Sequence, residues 1–202
     1  CTLTNTRKGN NVTIVKAWAG DATDGSSTTI TTTGTAADLN NAVTAGTAFS
    51  ETVSASVGNT ITFGETALAN YDSTYACSGG VTITQTEGVG SSFTMPDESV
   101  TCTLTNTRKG NNVTIVKAWA GDATDGSSTT ITTTGTAADL NNAVTAGTAF
   151  SETVSASVGN TITFGETALA NYDSTYACSG GVTITQTEGV GSSFTMPDES
   201  VT

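Results

Sequence analysis

The chain has 202 residues, with 18 acidic side chains against six basic ones, a formal net charge of −12 and no histidine. That balance excludes nucleic acid and anionic lipid as partners, since both call for clustered Lys and Arg. The lack of histidine removes the commonest general base, metal ligand and activator of Ser or Cys nucleophiles. Residues 1–101 and 102–202 are the same sequence, letter for letter. Exact tandem identity lengthens or multiplies a structure and argues against an enzyme acting on an external substrate. The repeat is far longer than the roughly 20 to 50 residues of a solenoid unit, so each copy is expected to hold its own core, as beads on a string. No apolar run is long enough to span a membrane as a helix.

Within one copy, short runs of Thr, Val, Ser and Ala are broken by Gly, Asn and Asp. Alternation predicts strands at Asn11–Trp18, Thr28–Thr33, Glu51–Val57, Thr60–Glu65, Tyr75–Cys77, Val81–Gln85 and Val100–Asn106. Gly20-Asp21, Asp24-Gly25, Gly58-Asn59 and Gly79-Gly80 supply the turns. Seven short strands in about 100 residues point to an all-β fold of tandem Ig-like sandwiches. Gly34–Thr47, with Ala-Ala-Asp-Leu-Asn-Asn-Ala-Val inside it, reads as a loop crossing between sheets.

Strand parity gives the sharpest expectation. Side chains two apart share a face, so Lys16 points inward with Val12, Ile14 and Trp18. The same count places Glu65 with Ile61 and Phe63, and Asn106 with Val100, Cys102 and Leu104. A lone buried Lys or Glu is driven toward its neutral form by desolvation. A neutral Lys amine can attack an Asn side-chain amide while a Glu polarises the carbonyl and shuttles protons, releasing ammonia and leaving an isopeptide bond. The competing reading is a buried Lys16–Glu65 ion pair, with Asn106 only ending a strand.

The pattern V-T-I-V-K-A-W, then I-T-F-G-E-T-A-L-A-N-Y, then C-T-L-T-N-T resembles the B-type domains, prealbumin-like or SpaA-like, of bacterial surface adhesins and pilins. The resemblance implies a Lys on the first strand, an assisting Glu on a middle strand and an Asn on the last. By position, Lys16 would bond Asn106 with Glu65 assisting. Lys117, assisted by Glu166, would need an Asn from beyond Thr202, the counterpart of Asn5. It also implies that the copies are out of phase with the beads. Residues 1–9 would be the last strand of a preceding bead, 10–109 a complete bead, and 110–202 a bead lacking its last strand. That strand would come from the next repeat or subunit, the chain being a window on an array or a donor-strand polymer.

Four cysteines without a CxxC pair suit a structural disulfide better than zinc or redox chemistry. In this phase Cys77 pairs with Cys102, 25 positions on, while Cys1 and Cys178 look outward across chain ends. If each copy as written were the folding unit, Cys1 with Cys77 and Cys102 with Cys178 would result instead. Thr107–Asn111 is a short junction, which favours a rod, and Arg108 and Lys109 in it would offer exposed positive charge to an acidic surface between beads. Asp21 and Asp24 read as a solvated turn and not a calcium loop, so no metal or cofactor is expected. Trp18 reads as a core plug. These observations predict an extracellular, cell-surface stalk or filament whose partners are identical repeats or subunits. The alternative is a multivalent adhesive module for a glycan or receptor.

Overall fold

The computed structural model describes residues 1–83, 90–184 and 191–202. They form two compact units, Cys1–Arg108 and Lys109–Thr202, and hold no helix among the described residues.

Among its described residues unit 1 contains eight strands: β1 (Gly9–Ala19), β2 (Ser27–Thr33), β3 (Asn40–Thr44), β4 (Phe49–Ser56), β5 (Thr60–Glu65), β6 (Tyr71–Cys77), β7 (Ser91–Thr94) and β8 (Val100–Arg108). They make two four-stranded sheets, ordered β4-β1-β8-β6 and β3-β2-β5-β7. Val12, Ile14 and Leu104 from the first sheet and Ile30, Ile61, Phe63 and Phe93 from the second join in one buried cluster. The alternation of Val, Ile and Phe with Thr and Ser is what gives each sheet one apolar face, and burying both faces against each other is the main stabilising term. β1 is antiparallel to β4 and parallel to β8, with Val12 opposite Val100 and Trp18 opposite Asn106. β8 lies between β1 and β6, and pairs Cys102 with Cys77. Gly79 and Gly80, both at positive φ (74° and 64°), turn the chain beyond β6, a conformation that L side chains rarely adopt.

Several strand expectations change. Gly34–Thr47 is not only a loop, because Asn40–Thr44 form β3 and pair with β2. Two asparagines depress its strand propensity and only Val43 of it is buried, so the local pattern is faint and pairing with β2 decides its state. β7, four residues long, also has too short an alternation to read. Val81–Ile83 is not a strand, and the remainder of the segment expected at Val81–Gln85 lies outside the described residues. β8 runs on to Arg108.

Unit 2 repeats part of this plan. β9 (Gly110–Lys117), β10 (Ser128–Thr134), β11 (Asn141–Thr145), β12 (Phe150–Ser157), β13 (Thr161–Glu166) and β14 (Ser192–Thr195) form a four-stranded sheet, β11-β10-β13-β14, and a two-stranded one, β12-β9. Among the described residues no strand flanks β9 on the side away from β12. The isolated parallel bridge between Val113 and Val201 is all that lies there. Tyr172–Cys178, the sequence equivalent of β6, is irregular.

A buried lysine, glutamate and asparagine as the candidate functional site

β1, β5 and β8 deliver Lys16, Glu65 and Asn106 into the core of unit 1, where they are 3%, 5% and 0% exposed. Lys16 Nζ lies 2.9 Å from Glu65 Oε2 and donates to the Leu104 carbonyl at 3.4 Å. Asn106 Nδ2 donates to that same Glu65 oxygen at 3.4 Å. One carboxylate oxygen therefore faces both the amine and the amide nitrogen. The other oxygen, Glu65 Oε1, is buried and accepts no hydrogen bond.

Burial pulls the Lys16 ammonium below its ordinary pKa, and the bond and charge of Glu65 oppose that shift without cancelling it. The physical cause is the loss of water around a charge in an apolar interior. The face of Trp18, with its centroid 4.5 Å from Nζ, covers the amine. Trp18 is only half-buried. It donates through Nε1 to the Thr47 carbonyl and packs edge-on to Tyr71.

One participant was missed in the sequence. Ser73 on β6 donates its hydroxyl to Asn106 Oδ1 at 2.8 Å, so the carbonyl to be attacked already carries a donor. Its signal is parity together with register: Ser73 stands two residues from each of the buried Tyr71 and Tyr75 and opposite Asn106 across the β6–β8 ladder.

Cys77 and Cys102 are joined by a disulfide beside this site, with an S–S distance of 1.98 Å. Cys1 and Cys178 are free, the first exposed and the second half-buried, and burial pushes the Cys178 thiol up. Asn5 is exposed. Lys117 Nζ lies 2.8 Å from Glu166 Oε2 in unit 2, and Ser174, the counterpart of Ser73, donates to Glu166 Oε1 at 2.8 Å.

The junction charges are not the exposed pair expected from sequence. Arg108 is 7% exposed, with Nη1 3.6 Å from Asp24 Oδ2 and donating to the Asp21 carbonyl. Lys109 pairs with Asp198 inside unit 2. Continued parity along β8 carries Arg108 to the same inward face as Asn106, and its charge is balanced there. Asp24 is held below the usual carboxylate range. Burial acts against this, but hydrogen bonds from Ser26 and Tyr71 and the Arg108 charge outweigh it.

A family model described as the prealbumin-like fold domain, SpaA_3, matches residues 10–108 and again 113–202. The chain belongs to this family. No curated protein sequence matches it significantly. Among solved structures, the C-terminal fragment of the pilus adhesin SpaC from Lactobacillus rhamnosus GG aligns over 93% of this chain and 83% of its own, at 12% identity and a TM-score of 0.40. The major pilin T-13 of Streptococcus pyogenes aligns over 97% of each chain at 11% identity and a TM-score of 0.42. A Mobiluncus mulieris adhesin containing intramolecular disulfide, isopeptide and ester cross-links aligns with 49% of this chain at 14% identity and a TM-score of 0.39. The chain spans only 41% of that adhesin's length.

Proposed function

We propose that the chain is a structural repeat of an extracellular bacterial fibre, an adhesin shaft or pilus-like filament, and that an isopeptide bond between Lys16 and Asn106 closes its first bead. The observation that carries the cross-link is Glu65 Oε2, 2.9 Å from the attacking nitrogen and 3.4 Å from the leaving one. Glu65 takes a proton from the Lys16 ammonium, whose charged form burial already disfavours. The neutral amine adds to the Asn106 side-chain carbonyl carbon, and the Ser73 hydroxyl stabilises the charge that grows on Oδ1. Glu65 relays that proton to the departing nitrogen, which leaves as ammonia, and then accepts the second proton that the Lys16 nitrogen sheds as the Lys–Asn amide forms. The turnover happens once and consumes the protein itself.

Family membership, exact repetition and a net charge of −12 support the surface-fibre reading. The bead on this reading is residues 10–109, with 1–9 as the last strand of a preceding bead and 110–202 completed by a strand from the next repeat or subunit. Lys117 and Glu166 then await an asparagine equivalent to Asn5.

Intact mass of the reduced, denatured chain tests the cross-link. Loss of one ammonia lowers the mass by about 17 Da, digestion yields a branched peptide joining Lys16 to Asn106, and Glu65→Ala retains the full sequence mass. An unmodified wild-type mass refutes the bond and leaves a buried Lys16–Glu65 ion pair.

A further inference from the structure

Asn106 stands close to the end of its strand. Beyond it the β1–β8 ladder keeps a single rung, Ala19 with Thr107, and the β6–β8 ladder keeps two, Asp72 with Thr107 and Tyr71 with Arg108. Strand ends open more readily than strand centres, and a reaction that needs the Asn106 amide held against Lys16 and Glu65 suffers from any such motion. Upstream, the Cys77–Cys102 disulfide pins β8 four residues before Asn106. Downstream the tie is a buried arginine.

The contacts of Arg108 converge on the loop that follows β1. Nη1 donates to the Asp21 carbonyl at 3.1 Å and lies 3.6 Å from Asp24 Oδ2, so the guanidinium grips a backbone atom and a carboxylate of one loop. Asp24 Oδ1 accepts from the Tyr71 hydroxyl at 2.9 Å. Tyr71 meets Trp18 edge-on with ring centroids 5.6 Å apart, and Trp18 covers the Lys16 amine. A continuous set of contacts thus runs from the end of β8 to the nucleophile. The same Asp, Tyr, Trp and Lys geometry recurs in unit 2 at Asp125, Tyr172, Trp119 and Lys117. Burying a guanidinium is a poor way to add stability, and the best-attested use of a buried charge is to fix register.

We propose that Arg108 is a positioning residue for the Lys16–Asn106 cross-link. Clamped to the Asp21–Asp24 loop, it keeps the end of β8 from fraying, so that the Asn106 amide stays against Glu65 and the Trp18 ring stays over the amine. The inference rests on the cross-linking reading and adds to it the group that holds the acceptor strand. Arg108 acts through the β8 backbone and through Asp24, Tyr71 and Trp18, and takes no part in bond making. The clamp joins the last strand to a loop that follows the first, so it forms only once β8 has docked. Cross-linking is thereby tied to a completed sandwich.

The test starts from 202-residue chains kept unreacted in denaturant at acid pH, where the Lys16 amine is protonated, and then diluted into neutral buffer. Intact mass follows the loss of about 17 Da with time, and hydrogen exchange of the β6 and β8 amides in the same samples follows docking of the last strand. Arg108→Met removes the charge and its donors, Asp24→Asn removes the countercharge from the other side of the clamp, and Arg108→Lys returns a charge and a donor. The first two variants should cross-link at least about tenfold more slowly with β8 still protected, since a misplacement of about 1 Å can cost about a hundredfold in rate. Arg108→Lys should regain part of that loss. A wild-type rate in Arg108→Met or Asp24→Asn overturns the proposal. So does slowing that only matches the fraction of chains with β8 unprotected, or an Arg108→Lys rate no better than that of Arg108→Met. A wild-type chain that never loses ammonia refutes the cross-link itself, and this inference with it.

Discussion

Residues 10–101 and 111–202 are identical in sequence and differ in structure. Tyr71–Cys77 is a strand, whereas Tyr172–Cys178 is irregular. The Lys16 side chain is fully buried while that of Lys117 is 18% exposed. β1 extends to Ala19, but β9 ends at Lys117. Unit 1 contains β8 in addition. Among the described residues β6 pairs with no strand but β8, so its conformation is set by a neighbour that lies largely in the next copy of the repeat. Without β8 the identical segment loses its ladder and its disulfide partner. Strand state here is a property of pairing, and local propensity does not settle it.

The largest effect should come from removing that difference. Appending Cys-Thr-Leu-Thr-Asn-Thr-Arg-Lys after Thr202 should turn Tyr172–Cys178 into a strand with slowed amide exchange and let Cys178 form a disulfide. The new disulfide alone should stabilise unit 2 by about 3.5 kcal/mol on the chain-entropy model, read from denaturant unfolding. Unchanged exchange at 172–178 would break the comparison.

A smaller effect separates Asp24 from Asp125. Both accept from a following serine and a tyrosine hydroxyl, and only Asp24 also balances a buried arginine. Asp24→Ala should destabilise unit 1 by about 2 kcal/mol, less than a fully buried pair would lose because its carboxylate keeps some contact with water. Asp125→Ala should move unit 2 far less, as differential scanning calorimetry would record.

The smallest effect is a pH window. Burial first, and then the hydrogen bond to Asp24, push the Tyr71 phenol from 10.0 up to about 12. A raised folded pKa means that the folded state keeps its proton longer than the unfolded chain. The stability this provides is complete below pH 10 and is lost as pH rises toward about 12. Alkaline titration of tyrosine absorbance should place one phenol near the top of that range, and Asp24→Asn should bring it down.

Much of the site could be read from parity. Val12, Ile14, Lys16 and Val100, Cys102, Leu104, Asn106 lie on single faces of β1 and β8 because a pleated strand leaves them no other choice. The same count, continued two residues, would have buried Arg108, but charge and proximity to glycine made it resemble linker. Ser73 and β3 were missed for different reasons. Ser73 shares the inward face of Tyr71 and Tyr75, but the expected strand began only at Tyr75 and stopped short of it, whereas β3 exists by pairing and leaves little periodic trace in its own sequence.

The parallel contact between β1 and β8 has a mechanical consequence. Parallel neighbours bring the chain in at one end of the contact and take it out at the other, so tension between Gly9 and Arg108 slides the two strands along each other like a lap joint. Every hydrogen bond of the overlap is loaded at once. An antiparallel pair pulled from adjacent ends would peel one rung at a time. First and last strands placed this way let the bead resist extension through the breadth of its seam.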